Sequence, residues 1–199
     1  MKSTAQQIEN EIKNKRRGKI YFVADFVNFG TTETVKKTLL RLEESGFLIR
    51  LAHGIYLYPL IDKKLGLGII YPTVDEIAKK IAKRDKARIV PTGVYALNAL
   101  GLSTQIPTNI VYLTDGAPRK IKIYNQQITF KHVAPKNLAY KSSLLMLVVS
   151  ALKEIGKDNI TQEQIDKIKE VLLLEDINII LDDMQLAPAW IRKIIQQMI

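Results

Sequence analysis

The sequence has 199 residues, of which 47% are hydrophobic and 25% charged, a composition that is ordinary for a folded protein. It contains no cysteine, which excludes disulfides, thiolate metal sites and thiol nucleophiles. Its polar start and short apolar runs predict neither a secretion signal nor a membrane span. The net charge is +10, and residues 141–199 alone are slightly acidic. We therefore expect a cytoplasmic protein that contacts no membrane and binds a polyanion such as nucleic acid.

The first 60 residues predict a series of short helices and strands. Ser3 and Gln6 stand at capping-box spacing, so we expect a helix over residues 4–14. The elements that follow are a strand at 20–22, a short helix at 23–28, a helix capped by Thr31 or Thr32 and ended by Gly46, and a hairpin turning at 53–54. This order is typical of a winged helix, and we expect that domain to span residues 1–62.

The third predicted helix has two unlike sides. Aliphatic residues form a core stripe on one side: Val35, Leu39 and Leu42. Hydroxyl and cationic residues lie nearly opposite: Thr34, Lys37 and Arg41. In a winged helix this helix enters the major groove. The expected groove contacts are Thr32, Thr34, Lys36 and Lys37, and the expected backbone contacts are Arg16, Arg17, Arg50 and His53. A solvated helix surface explains the lysines as well, so each contact stays open.

The remainder predicts a second domain over residues 71–199, joined by a linker at 62–70. Thr73 and Glu76 form a capping box, and helix 92–100 and strand 109–114 follow. A hairpin of strands 119–124 and 128–133 then places Lys120 and Lys122 on its polar side, with Lys131 nearby. The residues predicted to form an additional basic surface are Lys79, Lys83, Arg88, Arg119, Lys120 and Lys122. A solvated helix face is the alternative for those on the helix.

Residues 137–199 predict helices that end the chain. These helices are an apolar one to residue 155, one over 165–174, and one after Pro188 with Trp190 as its anchor. Leucines and isoleucines between 172 and 181 are expected to pack a small bundle. The expected fold class is α+β, with an N-terminal winged helix-turn-helix followed by a mixed α/β domain with a helical C-terminal part.

Two other classes of function remain alternatives. An enzyme acting on nucleic acid is weakly supported, because two histidines and no cysteine predict no metal site, no cofactor and no nucleophile–base pair. Asp182 and Asp183 are the only adjacent acids, and a polar helix surface explains them better. A protein-interaction module using the apolar residues 144–149 is the other alternative, although core packing also accounts for them.

Several segments resemble one known family. They are RRGKIYFVADF, LLRLEESGFLIRLAHGIYLYP, RIVPTGVYALNALGLSTQIP, VYLTDGAPRKIKI and PAWIRKI. The chain is similar across most of its length to the AbiEi-type antitoxins of type IV toxin–antitoxin systems. The resemblance implies a winged-helix repressor of the antitoxin–toxin operon that binds operator repeats in double-stranded DNA. It further implies that Arg41 joins the groove-facing residues. It also implies a second domain that counters a nucleotidyltransferase toxin without requiring a stable complex. A solitary regulator without the antitoxin role is the alternative.

Overall fold

The structure, a computed structural model, describes residues 3–199; Met1 and Lys2, which the sequence assigns to the first domain, lie outside the described residues. Within residues 3–199 the α-helices are α1 (Thr4–Lys13), α2 (Thr32–Glu44), α3 (Val74–Arg84), α4 (Val94–Ala99), α5 (Ser143–Ile155), α6 (Gln162–Leu172), α7 (Ile177–Asp183) and α8 (Ala189–Met198). The strands there are β1 (Ile20–Phe22), β2 (Ile49–Ala52), β3 (Ile55–Leu57), β4 (Leu60–Asp62), β5 (Gly68–Ile70), β6 (Ile89–Thr92), β7 (Asn109–Thr114), β8 (Arg119–Ile123) and β9 (Gln126–His132). The fold class is α+β, and none of the described helices is long and apolar enough to cross a membrane. The chain divides inside α3 into two compact units, Met1–Lys80 and Ile81–Ile199.

The first unit contains a three-stranded antiparallel sheet in the order β1-β3-β2. β1 pairs with β3 so that Ile20 lies opposite Leu57, and β2 closes the hairpin on the other side of β3. A 3₁₀ helix, Val23–Phe29, stands where the sequence predicts a short helix between β1 and α2. The predicted strand at 20–22, the third helix and the hairpin turning at 53–54 are confirmed.

The core of the first unit joins both helices to the sheet. Its buried members are Ile8, Ile12, Tyr21, Phe26, Val35, Leu39, Leu48, Tyr56 and Tyr58. Ile8 and Ile12 are one helical turn apart on α1, and Val35 and Leu39 are one turn apart on α2, so each helix buries a single stripe. The aromatic rings of Tyr21 and Phe26 stack with their centroids 5.4 Å apart. The helical stripes predicted from sequence are therefore confirmed.

The predicted linker at 62–70 folds instead into a second hairpin. β4 and β5 pair antiparallel, with Leu60 opposite Ile70 and Asp62 opposite Gly68. The carboxylate of Asp62 accepts the backbone N–H groups of Lys64 and Leu65, which tightens the turn. Gly66 and Gly68 have φ of +71° and +69°, the left-handed region that glycine adopts without strain.

The second unit is built on a four-stranded sheet in the order β6-β7-β9-β8. β7 and β9 run parallel, and the other two neighbouring pairs run antiparallel. The predicted helix over 92–100 begins too early, because Thr92 still belongs to β6 and Gly93, at φ +68°, turns the chain into the shorter α4. The predicted strand at 109–114 is confirmed as β7.

Helices α4 to α8 enclose a second aliphatic core in this unit. α5 contributes five of its fifteen buried members, including Leu145, Val148 and Val149, so core packing explains the apolar segment at 144–149. Trp190 is half-buried against this core. The bundle prediction is partly wrong: Leu172 and Ile180 are buried, whereas the side chains of other members are exposed, namely Leu173, Leu174, Ile177 and Leu181. α6 ends at Leu172, so the two leucines after it leave the helix stripe.

Candidate nucleic-acid interface

Helix α2 begins at a side-chain cap. The Oγ1 atom of Thr31 accepts the backbone N–H of Thr34 at 3.2 Å, and the two threonine hydroxyls lie 2.9 Å apart. This cap satisfies one of the unpaired N–H groups at the helix start. The exposed hydroxyls therefore stand at the positive end of the helix dipole.

One side of α2 is buried, and the other is open to solvent. Val35, Thr38 and Leu39 form the buried side. All of the groove residues predicted from sequence are exposed, namely Thr32, Thr34, Lys36, Lys37 and Arg41. Thr34, Lys37 and Arg41 recur at helical spacing along one line, which we call the outer ridge. The structure thus brings these three side chains to one surface of the first unit.

The exposed surface of α2 carries charges of both signs. The Nζ atom of Lys37 lies 2.8 Å from the Oε1 atom of Glu33, one turn earlier, and both side chains are well exposed. Over its whole length α2 has three cations and three glutamates. Exposed ion pairs are weak, so a phosphate group could replace Glu33 as the partner of Lys37 at small cost.

Arg50 and His53 meet at the β2–β3 turn. The Nη2 atom of Arg50 donates to the Nδ1 atom of His53 at 3.0 Å. An imidazole nitrogen accepts a hydrogen bond only when it carries no proton, so this bond requires Nδ1 to be unprotonated. The following residue, Gly54, has φ +71°, which the tight turn requires.

Arg16 and Arg17 have different surroundings in the loop before β1. The Nη1 atom of Arg17 donates to the carbonyl oxygen of Pro59 at 3.1 Å, and its guanidinium lies 4.7 Å from the centroid of the Tyr58 ring. Arg16 is exposed, and no side-chain partner for it occurs in the described part of the chain. Arg16 is therefore better placed than Arg17 to bind phosphate.

Three tyrosines of the first unit serve its core. Tyr21, Tyr56 and Tyr58 are all buried. Burial, with the nearby carboxylates of Glu11 and Asp25, raises the pKa of Tyr21 to about 12. These rings do not offer a free face to a base.

Two cations predicted for the additional basic surface lie on α3. Lys79 is exposed and pairs with Asp75, one turn earlier, at 2.7 Å. Lys83 is also exposed, and among the described residues it has no ion-pair partner. The capping box at the start of this helix is present, because Thr73 and Glu76 exchange hydrogen bonds.

Arg88 and Arg119, which were predicted for the additional basic surface, both bond to other residues of the second unit, although Arg88 is exposed. The Nε atom of Arg88 donates to Asp115 at 2.7 Å, and its Nη1 and Nη2 atoms donate to the carbonyl oxygens of Leu138 and Pro135 at 2.8 and 3.1 Å. Arg119 pairs with Asp85. The sequence could not reveal this, because the partners lie far away along the chain.

The environment of Arg119 also differs from that of a surface cation. Its guanidinium lies 5.4 Å from the centroid of the Phe130 ring, and its side chain is largely covered. Burial, together with the charge of Arg84, lowers the pKa of Arg119 from its ordinary value. Arg119 is therefore a packed residue and not a free phosphate ligand.

Lys120 and Lys122 remain exposed, as predicted. Both lie on β8, opposite Thr129 and Gln127 of β9. Lys131, further along β9, is exposed as well. Residues 3–199 provide no ion-pair partner for any of these three lysines.

Sequence reasoning did not single out Tyr124. The sequence predicts a hairpin loop over 125–127, but the structure has a two-residue turn, Tyr124 and Asn125, between β8 and β9. Tyr124 has φ +52°, a conformation that Gly, Asn and Asp favour and bulky residues rarely adopt. The sequence offers no signal for such strain, because turn preferences would assign that position to a smaller residue.

The adjacent acids at the end of α7 have separate structural roles. Asp182 is exposed and pairs with Lys141 at 3.1 Å. Asp183 is buried and accepts the backbone N–H of Ser142 at 2.7 Å, so the prediction of a polar helix surface is wrong for this residue. Within the described residues no three His, Asp or Glu side chains are grouped so that they could hold a metal ion.

Comparison with known proteins gives a family but no activity. No curated protein matches the chain. A family model described as a family of unknown function, DUF6088, matches residues 7–180, which is most of the sequence. The matched range includes α2, the β2–β3 hairpin and all three exposed lysines of β8 and β9. The chain therefore belongs to DUF6088, a family of unknown function.

Proposed function

We propose that the protein is a DNA-binding transcriptional repressor whose first domain is a winged helix. The observation that carries this proposal is the outer ridge of α2, which presents Thr34, Lys37 and Arg41 on a helix anchored by its opposite side. The sheet order β1-β3-β2 supports it, because the hairpin then follows the helix as the wing of such a domain does. In this proposal α2 lies in the major groove of double-stranded DNA.

The exposed residues divide by the contacts they would make. Thr32 and Thr34, near the start of α2, would reach base edges, since hydroxyl groups both donate and accept. Lys36, Lys37 and Arg41 would bind base edges or phosphates from the same helix. The residues proposed to hold the backbone are Arg16, Arg50 and His53, with Arg17 contributing less because it already bonds Pro59.

The repressor is proposed to act on its own operon as the antitoxin of a type IV system. The resemblance of the sequence motifs to AbiEi-type antitoxins supports this role, and the partner would be a nucleotidyltransferase toxin. Co-expression with a neighbouring nucleotidyltransferase gene tests it: restored growth supports an antitoxin, whereas continued growth arrest leaves a solitary repressor. An Arg41→Ala variant should lose repression and keep the rescue, since DNA binding and neutralisation would use different surfaces.

Fluorescence anisotropy with a labelled duplex tests the DNA-binding proposal. The duplex carries the inverted repeat upstream of the gene, and an unrelated duplex of equal length is the competitor. We expect binding to the repeat to be about a thousandfold tighter. Equal affinity for the two duplexes would contradict sequence-specific repression.

Two variants make the test specific to α2. Thr34→Ala should weaken binding to the repeat but not to the unrelated duplex, because a base contact carries sequence information. Lys37→Ala should weaken both if Lys37 binds phosphate. Lys63→Ala, an exposed lysine in the β4–β5 turn, is the charge-matched control and should change neither.

A further inference from the structure

The β8–β9 hairpin of the second unit carries an uncompensated positive charge. Strands β7, β8 and β9 contain no Asp or Glu, and residues 116–153 contain seven Lys and Arg and no acid at all. The nearby Arg88 and Arg119 are paired with Asp115 and Asp85. Asp115 and Asp85 therefore neutralise the two arginines, and the lysines of the sheet have no acidic partner among the described residues.

These lysines share one face of the sheet. Lys120 lies opposite Thr129 and Lys122 opposite Gln127, and cross-strand partners point to the same side. Lys131 stands two residues after Thr129 on β9, so it belongs to that side as well. We call Lys120, Lys122 and Lys131 the lysine face.

Polar side chains are fixed between these lysines. The Oγ1 atom of Thr129 donates to the Oδ1 atom of Asn109 at 2.7 Å. The Nε2 atom of Gln127 reaches the same oxygen and the Thr129 hydroxyl, each at 3.2 Å. This network connects β7 to β9 and gives the lysine face ordered hydrogen-bonding groups.

Protection of a sheet edge accounts for only part of this surface. β8 is an edge strand, and exposed lysines on an edge strand discourage pairing with other chains. That role fits Lys120 and Lys122, and it is open to Lys131, which lies one residue beyond the last β8–β9 pair. Edge protection does not require the ordered polar network between the lysines or an exposed aromatic residue at the hairpin tip.

Tyr124 supplies an aromatic ring at the tip of this hairpin. Its φ of +52° is unfavourable for a bulky side chain, and its side chain is 42% exposed. Tyr124 is the first residue of the turn that follows β8, so it stands at the end of the strand that carries Lys120 and Lys122. An exposed aromatic residue in an unfavourable conformation, close to exposed cations, is a combination that a binding site would explain.

We propose that the lysine face and Tyr124 bind single-stranded nucleic acid. The lysines would follow the phosphates, and the Tyr124 ring would stack on a base, which is how proteins bind single strands without sequence preference. A duplex offers phosphates but keeps its bases stacked, so the tyrosine would discriminate between the two forms. This site is independent of the duplex-binding function proposed for α2.

Fluorescence anisotropy of the full chain with labelled oligothymidylate and oligouridylate of about 12 nucleotides tests the proposal. Lys120→Ala/Lys122→Ala should weaken binding and reduce the slope of log affinity against log salt by about 1.4, since each phosphate contact on a single strand contributes about 0.7. Tyr124→Asn should weaken binding about tenfold and leave duplex binding unchanged. Comparison of the two oligonucleotides tells whether DNA or RNA is preferred.

Tyr124→Asn also separates function from folding. Asn tolerates positive φ, so this variant should unfold at the same or a higher temperature while it binds more weakly. Lys153→Ala/Lys157→Ala, two exposed lysines of the second unit outside the sheet, is the charge-matched control and should not change affinity. An unchanged affinity of Tyr124→Asn, a lower melting temperature of that variant, or an equal loss in the control would each overturn the proposal.

Discussion

At the scale of single residues, Arg88 is a connection point of the second unit. Its backbone N–H and its Nε atom both donate to the carboxylate of Asp115, each at 2.7 Å. Its other two nitrogens donate to the carbonyl oxygens of Pro135 and Leu138. One side chain therefore links the start of β6, the turn after β7 and the 3₁₀ helix Pro135–Leu138.

Removal of this guanidinium should destabilise the second unit. Arg88→Ala removes the side-chain donors to Asp115 and to two carbonyl oxygens, while the backbone N–H of residue 88 still donates to Asp115. Charged hydrogen bonds contribute about 1.5–3 kcal/mol each. Because the Arg88 side chain is half-exposed and water can replace part of these bonds, we expect a total loss of about 2 kcal/mol. Urea unfolding measures it. Lys136→Ala, at a neighbouring exposed lysine, should change the free energy of unfolding by less than about 0.5 kcal/mol.

Asp115 makes part of this stability depend on pH. Burial alone would raise the pKa of Asp115, but the hydrogen bonds and charge of Arg88 outweigh burial and hold it below its ordinary value of 3.8. The carboxylate therefore stabilises the fold fully above that value, and the contribution is lost as the pH falls through the lower pKa of the folded state. The stability difference between the wild type and Asp115→Asn should shrink from neutral pH to about pH 3. A difference that stays constant would contradict the pairing.

At the scale of elements, helix α2 depends on its cap and on its charge balance. Thr31→Ala removes the acceptor of the Thr34 N–H and should lower the free energy of unfolding by about 1 kcal/mol. Thr31→Ser keeps a hydroxyl at the same place and is the matched control. Equal losses in the two variants, measured by urea unfolding, would show that the methyl group and not the cap matters.

Glu33 should restrain DNA binding by α2. It pairs with Lys37, and its negative charge lies on the helix surface proposed to approach phosphate. Glu33→Gln should raise duplex affinity by about twofold, because an exposed ion pair is worth about 0.5 kcal/mol. Anisotropy titration at low salt measures the change. Glu44→Gln, at the far end of α2, provides a comparison for general charge effects, and weaker binding by Glu33→Gln would argue against a groove-facing ridge.

Local sequence signals located the elements well. The capping boxes predicted at Ser3 and Thr73 are present at the starts of α1 and α3, because each needs only residues three positions apart. Gly46 and Gly156 end α2 and α5 at positive φ, as glycine after a helix does. Periodicity likewise assigned the buried stripes of α1 and α2.

Contacts between residues far apart in the sequence could not be predicted from these local signals. The parallel pairing of β7 with β9 depends on contacts across the whole unit, and alternation within each strand does not fix it. Arg88 was predicted as a surface cation because its partner Asp115 lies 27 residues away. Leu173 and Leu174 were predicted as core from hydrophobicity alone, yet α6 ends before them, and they are 77% and 82% exposed.

At the scale of the whole molecule, the positive charge is distributed unevenly along the chain. Residues 1–60 carry ten cations and six acids, residues 61–140 carry thirteen and five, and residues 141–199 carry seven and nine. The excess positive charge thus lies in the segments that hold α2 and the lysine face. The acidic surplus lies in α6 and α7, which belong to neither surface.

The salt dependence of duplex binding tests whether these surfaces act separately. Each lysine bound to a duplex phosphate contributes about 0.9 to the slope of log affinity against log salt, so Lys36→Ala/Lys37→Ala should reduce the slope by about 1.8 if both bind phosphate. A smaller reduction with lost preference for the repeat would place one of them on a base edge. Lys120→Ala/Lys122→Ala should leave this slope unchanged, because the lysine face is proposed to bind single strands. A reduced duplex slope in that variant would instead mean that the lysine face also binds duplex phosphates. That result would contradict the separate roles proposed for the two surfaces.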